Sequence, residues 1–502
     1  MGVIKRQSIK QGLVTYIGIL IGTLSTLFIY PLLEQKEYGD ILFVISIAAF
    51  FVPFLGIGIP SVAIHFFSHF KNTKEKRGRF LYILTLATIL SLIVFIPILY
   101  LNSHLVGLYF AENAYLFKNY APYILSISAC VALITLLQNY ISNFGRIVIP
   151  SIIYNLTLKI LQPALVLIYL GGYIAFIHIF DGLIFIHIAI IFATIYYLFY
   201  LGHLEINTKK IHTDKALKKG IVDYALFSIL INVSASLALV IDKILIGMMV
   251  GSVSLAIFSI PALITDAIDV IRKAISGVAA PIISDSLKTD NIENVNNIYK
   301  KSALLQFTVG MFLLIGAWIC ADDLYNIMPK GKEYASGKII ILILGLARLV
   351  DMMTGTNTEI IAFSRYYRAN LYMLILLSVV NIVLNIVFLK QFGNVGAAYA
   401  TLISMTIFNA TKLIFIYKKM QIHPFTFNML GATAIAIFTL FVALFIPTIQ
   451  INTVGESASS ILTIAFKGFI ISVCYFSLLW KFKISADINQ MIDNSFAKLF
   501  GK

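Results

Sequence analysis

Residues 381–404 read NIVLNIVFLKQFGNVGAAYATLIS. Two apolar runs flank a short turn, KQFGN, at residues 390–394. Asn381 and Asn385 are four residues apart, so on a helix they share one face. Ala397 and Thr401 repeat that spacing beyond the turn. Polar side chains at membrane depth are costly unless they are buried against protein or line a cavity. The stretch therefore predicts a hairpin of two membrane helices whose polar faces pack inward.

The rest of the chain supports that environment. Of 502 residues, 60% are hydrophobic and 12% are charged, about half the charged fraction of a soluble domain. This is the composition of a polytopic membrane protein. Lys5, Arg6 and Lys10 lead straight into a long apolar run, which predicts an uncleaved first span rather than a signal peptide. Cys130, Cys320 and Cys474 sit inside apolar runs; their spacing gives neither a disulfide framework nor a metal site.

Fourteen apolar runs approach the ~20 residues needed to cross a bilayer core. They include 40–67, 147–170, 223–247, 253–280, 338–362, 371–390 and 396–417. With the N-terminus placed in the cytoplasm, 25 of the 38 Lys and Arg residues fall on the cytoplasmic side and six on the outer side. That bias sets the orientation and puts both termini in the cytoplasm. It also accounts for the net charge of +15 without any nucleic-acid partner. The basic loop after the sixth run divides the chain. The expected fold is all-α: two pseudo-symmetric six-helix lobes around a central cavity, plus two C-terminal helices. The boundaries are 1–203 for the first lobe, 204–222 for a cytoplasmic linker, 223–418 for the second lobe, and 419–502 for the last two helices and tail.

No nucleophile–base set, phosphate-binding glycine loop or zinc spacing stands out, so catalysis is not expected and no cofactor is implied. The chemistry lies in buried charge. The seventh run carries Asp242 and Lys243 in ALVIDKILIG. Asp242, Asn385 and Thr401 each lie roughly 7–8 Å in from an outer helix end, at 1.5 Å per residue. With Asn381 they make an oxygen-bearing set suited to a hard cation, or to hydrogen bonds that pack helices. The eighth run carries Asp266, Asp269, Arg272 and Lys273, and the tenth Arg348, Asp351 and Glu359. Asp269 is spaced to pair with either Arg272 or Lys273. Lys159 stands inside the fifth run with no acid within a turn. Lys159, Lys243, Arg272, Lys273 and Arg348 would suit a phosphate-bearing ligand; internal ion pairing is the alternative. In the second run, FVPFLGIGIPS at residues 51–61 combines Pro53, Gly56, Gly58 and Pro60. These residues predict a bend, either a gate or a static kink.

The asparagine run, the K-x-x-G turn and the following G-A-A-x-A-T resemble the helix 11–12 hairpin of one known family. This is the polysaccharide exporter branch of the multidrug/oligosaccharidyl-lipid/polysaccharide superfamily. The Asp242-Lys243 pair, the central basic loop and the span count extend the resemblance over nearly the whole chain. It implies a bacterial inner-membrane flippase that moves undecaprenyl-pyrophosphate-linked oligosaccharide by alternating access, for polysaccharide or O-antigen synthesis. It also implies a monomer, contact with membrane lipids, partnership with polysaccharide polymerase and chain-length machinery, and coupling to Na+ or H+. Sodium would bind at Asp242, Asn381, Asn385 and Thr401. A carboxylate often occupies the Asn385 position in the family, so the amide here lowers the charge of that site. The competing readings are a multidrug cation antiporter of the same superfamily and a lipid-linked peptidoglycan precursor flippase.

Overall fold

The computed structural model describes residues 2–101, 114–209, 214–449 and 455–499. Among them there is no strand. Thirteen helices are long and apolar enough to cross a membrane, and a bent pair makes a fourteenth span. We number the spans in chain order. They are α1 (Lys10–Leu32), α2 (Gln35–Gly56), α3 (Lys74–Leu101), α4 (Phe117–Ser142), α5 (Val148–Leu170), α6 (His178–Tyr200) and α7 (Lys215–Met249). There follow α8 (Ser252–Lys288), α9 (Ile292–Ile319), α10a (Lys338–Met353) with α10b (Asn357–Phe363), α11 (Arg368–Phe392), α12 (Asn394–Met420), α13 (Phe427–Leu444) and α14 (Glu456–Lys481). A final amphipathic helix, α15, spans Ala486–Leu499. The chain is an all-α integral membrane protein. Large apolar side chains such as Phe192, Leu239 and Phe427 are exposed, as lipid-facing residues are.

The chain falls into two compact units, Met1–Ala256 and Ile257–Lys502. In the first unit, α7 packs with the spans before it. Ser236 Oγ donates to the Ala49 carbonyl at 3.1 Å and Asn232 Nδ2 to Ser61 Oγ at 3.2 Å. Gly247 leaves room for the Phe43 ring, which a Cβ there would meet at 2.4 Å. An aromatic cluster of Phe66, Phe67, Phe70, Phe80 and Tyr140 closes one end of this unit.

The second run, expected as one span over 40–67, is two helices. Ile57 and Gly58 both take left-handed φ, +44° and +65°, and a short helix, Ile59–His65, follows. Pro60 at its first turn lacks the N–H that α2 would need to continue. The tenth run, expected as continuous over 338–362, also breaks. Gly355 has φ +59°, and α10a and α10b meet at 46°.

In the second unit, α9, α13, α14 and α15 share one core around Met311, Met429, Ile471 and Tyr475. The Tyr475 hydroxyl donates to the Thr308 carbonyl at 2.9 Å. Asp323, in the short helix Ala321–Ile327, holds Lys467 of α14 at 2.6 Å, and both side chains are buried. The α11–α12 hairpin closes tightly: a Cβ on Gly396 would come within 2.1 Å of the Phe388 carbonyl oxygen.

Candidate functional site

Lys159 lies on α5 just past a π-helical turn, Ile152–Leu156. Such single wide turns often occur at functional positions. Its side chain runs along the glycine face of α1. A Cβ on Gly18 would sit 3.5 Å from Lys159 Cδ, and one on Gly22 would sit 3.0 Å from the amine. Among the described residues, no acid or hydrogen-bond acceptor holds the Lys159 amine; its ionic environment is bare. One and two turns nearer the start of α5, Asn155 donates to Ser151 Oγ at 3.1 Å and Gln11 donates to the same oxygen at 2.8 Å. A polar stripe of Ser151, Asn155 and Lys159 thus climbs α5 beside α1. The glycines that shape the slot are visible in the sequence as G-x-x-x-G in the first span.

The α2 break sits against polar groups of the same unit. Pro53 lies inside α2, Gly56 ends it, Gly58 is the turn and Pro60 opens the next helix. Gly58 is held close: a Cβ there would be 2.3 Å from the Ala225 carbonyl oxygen of α7. From α4, Asn139 Nδ2 donates to the Pro60 carbonyl at 3.0 Å and Asn143 Nδ2 to the Ala63 carbonyl at 2.9 Å. These two amides satisfy carbonyls near the break. They were legible in the sequence as an i, i+4 pair, and the reading missed them. It also missed Asp40, which is buried and accepts from Tyr120 at 2.9 Å and from Ser252.

The cations of α8 and α10a are paired within the second unit. Arg272 Nε reaches Asp269 Oδ1 at 2.6 Å and Asp351 Oδ2 at 3.0 Å. Lys273 reaches Asp269 Oδ2 at 2.8 Å, and Arg348 reaches Asp266 Oδ1 at 2.6 Å. Asp269 pairs with both α8 cations, as their spacing allows. The α10a groups pair across to α8 instead of along their own helix. The charge of these three cations is therefore largely offset by acids.

Asn381 and Asn385 come together on α11, both buried: Asn385 Nδ2 donates to Asn381 Oδ1 at 2.8 Å and to its carbonyl at 3.0 Å. Thr401 is partly buried on α12, one turn beyond the fully buried Ala397. Asp242 and Lys243 are partly buried on α7, in the first unit. Lys243 makes no ion pair among the described residues. The reading also missed Lys412 on α12, which is 2% exposed. Among the described residues, no cluster of His, Cys, Asp and Glu has the form of a metal site.

Residues 5–287 match the family described as polysaccharide biosynthesis protein. Half of the chain is 23% identical, over 251 residues, to the probable flippase AglR of Haloferax volcanii; the match spans about half of that relative's length, 52%. The fold is that of the lipid II flippase MurJ in an inward closed conformation, with TM-score 0.69, 15% identity, 94% of this chain and 99% of that one. It is also that of an inward-facing multidrug resistance MATE transporter, with TM-score 0.66, 12% identity, 80% of this chain and 94% of that one. The family match covers more than half of the sequence, so the chain belongs to the polysaccharide biosynthesis protein family.

Proposed function

We propose that the protein flips undecaprenyl-pyrophosphate-linked oligosaccharide units across a bacterial inner membrane by alternating access, with Lys159 contacting the pyrophosphate. The observation that carries this is the Lys159 amine, placed at membrane depth with no acid partner among the described residues. An unpaired cation there is stabilised by water or by an anionic ligand. A pyrophosphate bridging lipid and sugar is such a ligand, and an organic cation is not. The paired cations Arg272, Lys273 and Arg348 give weaker support, since their charge is already balanced. Translocation in proteoliposomes tests the reading. A fluorescent undecaprenyl-pyrophosphate oligosaccharide should move faster than lipid II and much faster than an organic cation. Preference for either of the other two overturns it.

Orientation follows from the basic loops. Reporters fused after Glu112 and after Lys210 lie outside the described residues. They should read as periplasmic and cytoplasmic respectively; the reverse pair would invert the topology.

Coupling to sodium or a proton is proposed for Asp242 of the first unit and, separately, for Asn381, Asn385 and Thr401 of the second. An ion drives one conformation only by its differential affinity for the two. Asp242→Asn removes the formal negative charge among these residues. It should reduce gradient-dependent translocation about tenfold, the effect of ~1.4 kcal/mol. Sodium and pH gradients imposed separately identify the ion, and wild-type rates under both leave the four residues as helix-packing groups.

A further inference from the structure

We propose that Lys412 and Glu359, at the break between α10a and α10b, form a proton site of the second unit, separate from Asp242 and from the group Asn381, Asn385 and Thr401. Lys412 is buried on α12. Its amine donates to Thr358 Oγ1 at 2.7 Å and lies 3.7 Å from the centre of the Phe408 ring. Among the described residues, no carboxylate oxygen comes within ion-pair distance of it. The same unit shows the alternative: Lys467, also buried, sits directly on Asp323 at 2.6 Å. A lysine that only packs helices is expected to be paired in that way, because a buried charge without a partner is costly.

Three charged groups face Lys412 at longer range: Asp351 from α10a, Glu359 from α10b and Arg272 from α8. Asp351 is already committed to Arg272. Glu359 is not committed, and its Oε2 is buried without a hydrogen-bond partner. The site therefore holds an ammonium and a carboxylate that face each other without contact. Such a pair has room to gain or lose one proton. In the charged state Lys412 is an ammonium; on release it becomes a neutral amine and its proton leaves to water. The balance is one proton and one unit of charge.

The element that responds is the break itself. Thr354 Oγ1 donates to Asn409 Oδ1 at 3.0 Å, and Asn357 Nδ2 donates to the same oxygen at 2.9 Å. Asn409 and Lys412 are three apart on α12, so one face of α12 grips both sides of the break. A short chain runs from the Lys412 amine to Thr358 Oγ1 and on to Asn357 Oδ1 at 3.2 Å. An ammonium can only donate to that hydroxyl, whereas a neutral amine can also accept from it. The proton thus sets the direction of the hydrogen bonds that hold α10b. Gly355 supplies the hinge, pressed so closely to α9 that a Cβ would meet Ala303 Cβ at 2.8 Å.

The inference does not depend on the substrate, so its test needs none. The full chain is placed in sodium-free lipid nanodiscs, and amide hydrogen exchange over residues 351–363 is followed from pH 5.5 to 9.5. Rates are normalised to an unstructured reference peptide. We expect normalised protection to change about threefold or more in the wild type, along a one-proton curve. Lys412→Arg keeps the charge through this range and should flatten the curve. Glu359→Gln removes the facing carboxylate and should displace the midpoint by about one pH unit. Lys419→Gln, at the exposed end of α12, should leave the curve unchanged. A flat wild-type curve overturns the proposal. So does a wild-type curve in Lys412→Arg or, if that variant does not fold, an unmoved midpoint in Glu359→Gln.

Discussion

Gly58→Val is expected to leave little folded protein. Two costs combine at this position. The backbone is left-handed, with φ +65°, which costs a residue with a side chain about 1–3 kcal/mol and is worst for a β-branched one. The added Cβ would also sit 2.3 Å from the Ala225 carbonyl oxygen and 3.1 Å from Ser228 Cβ. The first of these is backbone of α7, so relief requires α7 to move as a whole. Against a typical total stability of about 5–15 kcal/mol, the two together exceed what the first unit can absorb. Gly145→Ala separates them. Gly145 has φ +68° with nothing within 4 Å of the place an added methyl would take, so it should lose about 1 kcal/mol from backbone strain alone. Monodisperse yield and thermal midpoint in detergent measure both. Equal behaviour of the two variants would mean that the approach to Ala225 is not tight.

Lys159→Ala is expected to cut translocation of the undecaprenyl-pyrophosphate probe by ten- to a hundredfold while the protein stays folded and inserted. A hydrogen bond to a charged group contributes about 1.5–3 kcal/mol, and each ~1.4 kcal/mol is a factor of ten. No acid among the described residues loses its partner when Lys159 goes, so stability should hardly change. Lys159→Arg should be milder, although the guanidinium must fit a slot only 3.0 Å from the Cβ position of Gly22. Arg348→Ala should cost less than Lys159→Ala, because Arg348 is already matched by Asp266. Undiminished translocation in Lys159→Ala would remove this residue from the substrate path.

The spans were legible because hydropathy averages over about twenty residues, and fourteen runs survive that average. The α2 break was legible too, since Pro53, Gly56, Gly58 and Pro60 crowd one stretch. The α10 break was not. It rests on one glycine between Thr354 and Thr356, and its cause is tertiary: Asn409 of α12 takes the hydrogen bonds there. Pairs along one helix, such as Asp269 with Lys273, follow from spacing. Pairs across helices, such as Arg272 with Asp351 and Arg348 with Asp266, depend on packing that no local pattern contains. Lys412 escaped notice because it stands near Lys418 and Lys419 and reads as part of a basic helix end.

The buried contact between Asp323 and Lys467 bears on how short this protein can be made. It rivets a short helix, just past the end of α9, to the last span. Cutting the chain after Met420 would strand a carboxylate in an apolar setting, and it would strip Met311 and Ile315 of their cover. Removing one partner of such a pair typically costs about 3–5 kcal/mol. The final two spans are therefore a keystone of the second unit, and a twelve-span core carved from this sequence would have to be re-engineered at Asp323 before it could stand alone.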